Sequence, residues 1–409
     1  MARPERIGLV LAGGGARGAY EAGALSVLLP LLAERGERPT VLVGTSVGAI
    51  NASYLAASRH LEAPVAATGG ISRWREVTKS RVVRPLLPWQ VPITAARYAG
   101  ELLSLPGVRL PSLLDPSPLA DNIRDWIDFD QIARNVAAGK VDAIALVATA
   151  AATGRTVVFA AGGELPSHRS HAVEYVRARI TADHVRASAA IPILFPAIEV
   201  HEPEEAAGWY FDGGTRLNTP IKPALDLGVE RLVVVGTDSI AQAESADGGE
   251  PPDFGDGALN VLQGMLVDPL IEDMRMLGNI NLFFSDGEVP GARDYRSARG
   301  KPPYRRVPYI FVGPERPGAI GQLASEVFHD RYGGLKGLRS PDFPLLSRLL
   351  GGDSPTHGEL LSYLFFDQEF IEGLIDMGRA DAQRWLDTPP GPEEPWQTGP
   401  LDAFTKERR

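Results

Sequence analysis

The chain contains no cysteine among its 409 residues. That excludes disulfides, thiolate metal sites and a cysteine nucleophile, and it fits a reducing compartment, so a cytoplasmic location is expected, with peripheral attachment to a membrane surface as its variant. Positive charge is also short. Lys and Arg number 41 against 51 Asp and Glu, a formal net charge of -10, so no basic excess exists to neutralise a phosphate backbone, and nucleic acid is not expected as the main partner. Long apolar runs are missing too: candidate stretches are broken by Pro192, Pro196 or charges, short of the roughly 18 uninterrupted apolar residues that a membrane span needs. The run Ile7 to Ala12, preceded by Arg3 and Arg6, falls below the roughly 7 to 15 residues of a secretory h-region and reads as a strand.

What remains is an ordinary globular composition, 44% hydrophobic and 22% charged, with material for one large core or two smaller ones. Ile7 to Leu11 is an aliphatic run that ends in Gly13-Gly14-Gly15, and helix formers follow from Ala19 to Ala33. Thr40 to Val43 then leads into Gly44-Thr45-Ser46-Val47-Gly48 and a helical stretch from Ala49 to Ser58. Two strand-turn-helix units so close together predict an α/β fold with a mainly parallel sheet and helices on its faces. Further strands are expected at Ile144 to Val147, Thr156 to Phe159, Ala197 to Val200, Trp209 to Phe211 and Leu232 to Val235. The expected catalytic core therefore spans residues 1-238.

Between Ser72 and Pro118, prolines alternate with bulky apolar residues, which predicts an irregular cap. Its Val82, Val83, Leu86, Leu87, Trp89 and Ile93 lie close in sequence to Arg73, Arg75, Lys79, Arg81 and Arg84, a mixture that suits either a lipid-facing surface or a cover over the core. A mobile loop is expected over 239-258, a C-terminal extension packed on the core over 259-386, and a frayed tail over 387-409. Within the extension, Leu259 to Leu277 has helical spacing, and Met265, Met274 and Met276 read as core filling.

Three segments carry chemistry. Gly44-Thr45-Ser46-Val47-Gly48 fits G-x-S-x-G between a strand and a helix, where a sharp turn thrusts the serine out; the plain alternative is a helix-capping serine in a tight turn. Gly13-Gly14-Gly15-Ala16-Arg17-Gly18 occupies the equivalent turn of the first unit, so both turns emerge at the same carboxyl edge of the sheet. Successive glycine N–H groups can hold an oxyanion, and the same geometry can hold a phosphate. Gly13, Gly15 and Gly18 match the dinucleotide spacing, but the second strand runs into Gly44-Thr45-Ser46 where that fold requires an acidic residue. Asp212-Gly213-Gly214 follows Trp209-Tyr210-Phe211, a carboxylate at a strand end that can serve as a base or simply make a turn.

In this order the three motifs resemble the patatin-like phospholipase family, over roughly residues 5 to 238 and including Ala187-Ser-Ala-Ala-Ile-Pro192. The resemblance implies a three-layer α/β/α fold and a serine hydrolase of lipid or other acyl esters. It makes Ser46 the nucleophile, Asp212 the base and Gly13, Gly14 and Gly15 the oxyanion-binding turn, with Arg17, Gly18, Gly44, Gly48, Gly213 and Gly214 as supporting motif positions. Arg17 is expected either to shape the loop, to touch substrate or to lie solvated. No cofactor or metal is implied; the implied partner is the lipid or acyl ester substrate. Two competitors stand beside this reading. One is a Ser-His-Asp hydrolase drawing on His329 or His357, the only histidines after Asp212, and the other is a lipid-binding protein that kept the fold without the chemistry.

Overall fold

A computed structural model describes residues 5-84, 112, 114-166, 173-241, 268-284, 290-298, 303-332, 357-388 and 394-399. Nine strands form one sheet: β1 (Ile7–Leu11), β2 (Val41–Thr45), β3 (Ala143–Ala150), β4 (Thr156–Gly162), β5 (Val173–Arg177), β6 (Ile198–Val200), β7 (Gly208–Asp212), β8 (Arg231–Val235) and β9 (Tyr309–Val312). The order is β5-β4-β3-β2-β1-β8-β9. The run from β3 to β9 is parallel, whereas β4 is antiparallel to β3.

Strand periodicity explains the layers. Successive side chains point to opposite faces, and both faces here are apolar: Leu9, Leu11, Leu42, Ile144 and Leu146 enter one core, while Val10, Val41, Val43, Ala145 and Val147 enter the other. A central strand buried on both sides must read as a continuous hydrophobic run, as β1 and β3 do. The first face is covered by α1 (Gly18–Glu34), α2 (Val47–Ser58), α3 (Ala63–Arg75), α4 (Ser117–Trp126) and α5 (Ala182–Ser188). The second receives the short helix Ile221–Asp226 and α6 (Asp268–Phe283). Helices α7 (His357–Leu364) and α8 (Gln368–Asp387) return to the first face, where the Tyr20 hydroxyl donates to Asp381 at 2.8 Å and ties α1 to α8.

Several expectations are corrected. The sheet does not end near residue 238: β9 adds a parallel strand, pairing Ile310 with Val233. The expected cap start at Ser72 lies inside α3, and of the two readings open for Val82 and Val83 burial over the core is the one found. Leu86, Leu87, Trp89 and Ile93 fall outside the described residues, as do 242-258 of the expected loop and Met265. Among the other two methionines, Met274 is fully buried in the second core but Met276 is 61% exposed, facing away from it. The tail is held where it is described. Gln397 exchanges backbone hydrogen bonds with Tyr309 on β9, and buried Trp396 donates its indole N–H to Glu37 at 3.0 Å.

One detail of topology brings two distant strand ends together. The edge of β3 that pairs with β2 as far as Thr45 opposite Val147 is taken over at Ala148 by β7, running the other way, with Asp212 opposite Ala148. The ends of β2 and β7 therefore meet head to head over one strand.

Candidate active site

Ser46 sits at that meeting point, the single residue between β2 and α2. Its φ of 55° and ψ of -122° are unusual for a residue with a side chain, a strained conformation that persists only where the surrounding structure enforces it. The turn closes only because its neighbours are small: a Cβ on Gly48 would run into the carbonyl oxygens of Leu11 and Ala12, and one on Gly44 into Gly48. The Ser46 N–H is fixed by the Ser188 hydroxyl at 3.0 Å, which in turn donates to the Val147 carbonyl at 2.6 Å.

Asp212 comes from the opposing strand end. Its backbone N–H donates to the Ala190 carbonyl at 2.9 Å, and its Oδ1 accepts the Gly214 N–H at 2.7 Å. The other oxygen, Oδ2, accepts the Ser46 hydroxyl at 2.6 Å. Both side chains are buried. Burial pushes the Asp212 carboxyl up to about 7, against the hydrogen bonds from Ser46 and Gly214 that favour its charged form. A carboxylate poised near neutrality and directly bonded to a hydroxyl can accept its proton.

The glycine turn lies alongside. A Cβ on Gly13 would stand 3.1 Å from the Ser46 Cβ, so the loop passes directly over the serine. Gly13 itself is committed: its N–H donates to the Asn218 carbonyl at 3.1 Å, and its carbonyl accepts the Thr237 hydroxyl at 3.0 Å. That removes Gly13 from the donors expected for an oxyanion. The N–H groups of Gly14 and Gly15 meet no acceptor among the described residues. Gly15 has a φ of +58°, and a Cβ there would overlap the Tyr363 carbonyl, so no other residue fits this position. Gly18 opens α1 against Val47 and Trp74, and Gly213 continues from β7 against Val147.

Arg17 neither touches the pocket nor lies in solvent. Buried to 1% exposure, it donates to Ser362 Oγ at 2.8 Å, to Asp238 Oδ1 at 2.9 Å, to the carbonyls of Thr237 and Glu359, and to the Glu359 carboxylate. It also stacks on the Tyr363 ring at 4.1 Å. Its role is to shape the loop, binding the turn that carries Gly15 to β8 and α7.

An apolar pocket with about 600 Å³ of free space, counting its mouth, opens onto Ser46. Val47, Ile50, Trp74 and Trp126 form one part of its wall, and Tyr363, Leu364 and Phe366 another. Sequence reasoning missed this second part, together with the Ser188 tether and Asn218. The Ala187 to Pro192 stretch did contain the tether, and its small residues were the visible signal. His329 is occupied elsewhere, with Nδ1 against the Ser325 carbonyl at 2.8 Å; the side chain of His357 is outside the described residues. Among the described residues no cluster of metal-ligating side chains occurs and no helix is long and apolar enough to cross a membrane.

A buried serine–aspartate pair stands at strand ends, under a glycine turn and facing an apolar pocket. The family model for patatin-like phospholipases matches residues 9–225, more than half of the chain, and the chain belongs to that family. No curated protein sequence matches it. Among solved structures it is similar to VipD from Legionella pneumophila, at 15% identity and a TM-score of 0.32, over 93% of this chain and 66% of that one. Human GIVD cytosolic phospholipase A2, in complex with methyl gamma-linolenyl fluorophosphonate, is similar at 13% identity and a TM-score of 0.37, over 93% and 57%. ExoU of the Pseudomonas aeruginosa type III secretion system, in complex with SpcU, gives 16% and 0.27, over 93% and 78%. The chain thus spans less than two thirds of the length of the first two structures.

Proposed function

We propose that the protein is a serine acyl hydrolase that cleaves carboxylic esters of lipids through a Ser46–Asp212 dyad. The observation that carries this reading is the 2.6 Å hydrogen bond from the Ser46 hydroxyl to the Asp212 carboxylate beside an apolar pocket. Asp212 takes the Ser46 proton as Oγ attacks the ester carbonyl carbon. The N–H groups of Gly14 and Gly15 stabilise the resulting oxyanion, an effect worth about 2.7 to 4 kcal/mol per donor in related chemistry. Collapse breaks the ester C–O bond, and the departing alcohol oxygen takes the proton from Asp212. Water then attacks the acyl-serine, passing a proton to Asp212 that returns to Ser46 Oγ as the carboxylic acid leaves.

A direct Ser46–Asp212 bond leaves no place between them for a histidine, which favours the dyad over a Ser-His-Asp arrangement. The pocket accepts the acyl portion of the ester; the alcohol portion faces the mouth, so phospholipid, lysophospholipid and acylglycerol are all admitted as substrates.

The test is hydrolysis of a short p-nitrophenyl ester and of mixed phospholipid vesicles by wild type, Ser46→Ala and Asp212→Asn, with thermal melts on each. Loss of turnover by at least about 10³-fold in both folded variants is expected, along with labelling of wild type by a fluorophosphonate at Ser46. Turnover that survives Ser46→Ala sinks the reading. A folded wild type that binds lipid but neither turns over nor labels marks a lipid-binding protein instead.

A further inference from the structure

At the end of the sheet opposite Ser46, a second pocket lies between β1, β2, α1 and α2. Arg38 precedes β2 by three positions and Arg59 directly follows α2, and both line a cleft with about 430 Å³ of free space, counting its mouth. Its floor is Leu9, Leu29, Leu42 and Leu55, with Leu61 on the rim at 38% exposure and Val65 nearby at 57%. An apolar cleft lined by two arginines suits a ligand with an aliphatic body and an anionic head.

The charge balance points the same way. Partly buried Arg59 donates from Nε to the Lys140 carbonyl at 3.2 Å and has no carboxylate within ion-pair distance among the described residues. Burial and then the neighbouring Arg38 push its pKa down, with Asp142 opposing. Among the described residues Arg38 pairs only with Glu62, at 3.4 Å, with side chains 38% and 78% exposed. Such an exposed pair is weak and readily exchanged. Asp142 is engaged by Arg6 at 3.6 Å and by the Thr40 hydroxyl at 2.7 Å. Two cations therefore line an apolar cleft with one exposed carboxylate, Glu62, in ion-pair reach among the described residues, an arrangement that leaves one positive charge for an anionic head.

We propose that this cleft binds a single-chain anionic amphiphile, its carboxylate or phosphate head on Arg38 and Arg59 and its chain along the leucines. The site is separate from the Ser46 pocket and does not depend on the proposed hydrolysis. Two sources share the chemistry, a free fatty acid in solution and an anionic lipid in a bilayer.

The experiment uses the full chain and a diazirine analogue of dodecanoic acid as photolabel, with the labelled peptides mapped by mass spectrometry. Label is expected on peptides carrying Leu29, Leu55 or Leu61, competed by dodecanoate and dodecyl phosphate but not by dodecyltrimethylammonium. Arg59→Gln should cut that label by about tenfold or more, as loss of a charge-assisted contact does, and leave label on peptides carrying Trp126 or Phe366 unchanged. Arg59→Lys should restore part of it. Arg38→Gln gives the same reading should Arg59→Gln melt early. Stronger competition by free dodecanoate identifies the solution ligand, and stronger competition by lysophosphatidylglycerol carried in phosphatidylcholine vesicles identifies a single-chain bilayer lipid. Label confined to the Ser46 pocket, equal competition by the cationic amphiphile, or label indifferent to Arg59→Gln and Arg38→Gln overturns the proposal.

Discussion

The chain up to Val235 and the chain from Asp268 onward contribute to the site in different ways. The first supplies the hydrogen-bonded Ser46 and Asp212, the pair proposed to react, and the glycine turn. The second supplies a strand on the sheet edge, Glu359, Ser362 and Tyr363 around Arg17, and one wall of the pocket. Reacting atoms require particular residue types at particular strand ends, whereas a wall requires only apolar volume and a tether only a suitable acceptor. The site is thus written locally but held together globally: Gly15 is pressed against the Tyr363 carbonyl, and Arg17 reaches Ser362, 345 positions away.

That division is most open to attack at Arg17. Arg17→Gln removes a buried cation and strands Asp238 and Glu359 beside each other, and breaking a buried pair on one side typically costs about 3 to 5 kcal/mol. A large fall in the urea midpoint is expected, with loss of esterase activity because the turn bearing Gly14 and Gly15 is released. Arg17→Lys, which keeps the charge but not the five contacts, should fall between. If Arg17→Gln keeps wild-type stability and turnover, the C-terminal segment merely lies against the site and does not hold it.

The reacting pair itself makes a pH-dependent contribution that the walls do not. With Asp212 near 7, kcat/KM for a soluble ester should rise through about pH 7 and fall tenfold per unit below it, since only the carboxylate can take the serine proton. The stability consequence has the opposite sense. A carboxyl whose folded pKa is raised above its unfolded value near 3.9 contributes stability below that value and loses it as pH rises through about 7. Asp212→Asn should therefore melt a few degrees above wild type at pH 8, with the gain vanishing toward pH 4. A wild-type profile flat between pH 5 and 8 would remove Asp212 as the base.

The same division sets how much was legible in the sequence. Ser46, Asp212 and the glycine turns stand out because a strained elbow, a base at a strand end and a close backbone approach each restrict the residue type within a few positions. The short β9, the pinning of Trp396 against Glu37 and the wall formed by Tyr363 and Phe366 do not. They depend on contacts between parts of the chain far apart in sequence, and one apolar side chain looks much like another. Val82 and Val83 show the ambiguity directly: bulky apolar residues beside arginines suit a lipid surface, yet they are buried, and the cations close by are paired, Arg75 with Glu372 at 2.8 Å, Arg81 with Glu76 at 3.1 Å and Arg84 with Asp115 at 3.3 Å. Gly13 shows a finer limit, because which N–H of three glycines stays free depends on Asn218, far along the chain.

The smallest expected effect tests the wall alone. Phe366 lines the pocket that opens onto Ser46 and comes from the segment that supplies none of the reacting atoms. Truncation to alanine removes apolar surface that an extended acyl chain would cover, an effect of about 1.5 to 3 kcal/mol when a large side chain is fully used. Because the chain also contacts Trp74 and Trp126, a share of that is expected: kcat/KM for a dodecanoyl ester should fall about tenfold, while an acetyl ester, too short to reach the wall, stays within about twofold. Equal losses on both esters would mean that Phe366 supports the Ser46–Asp212 geometry itself. The division between reacting segment and wall would then fail at this residue.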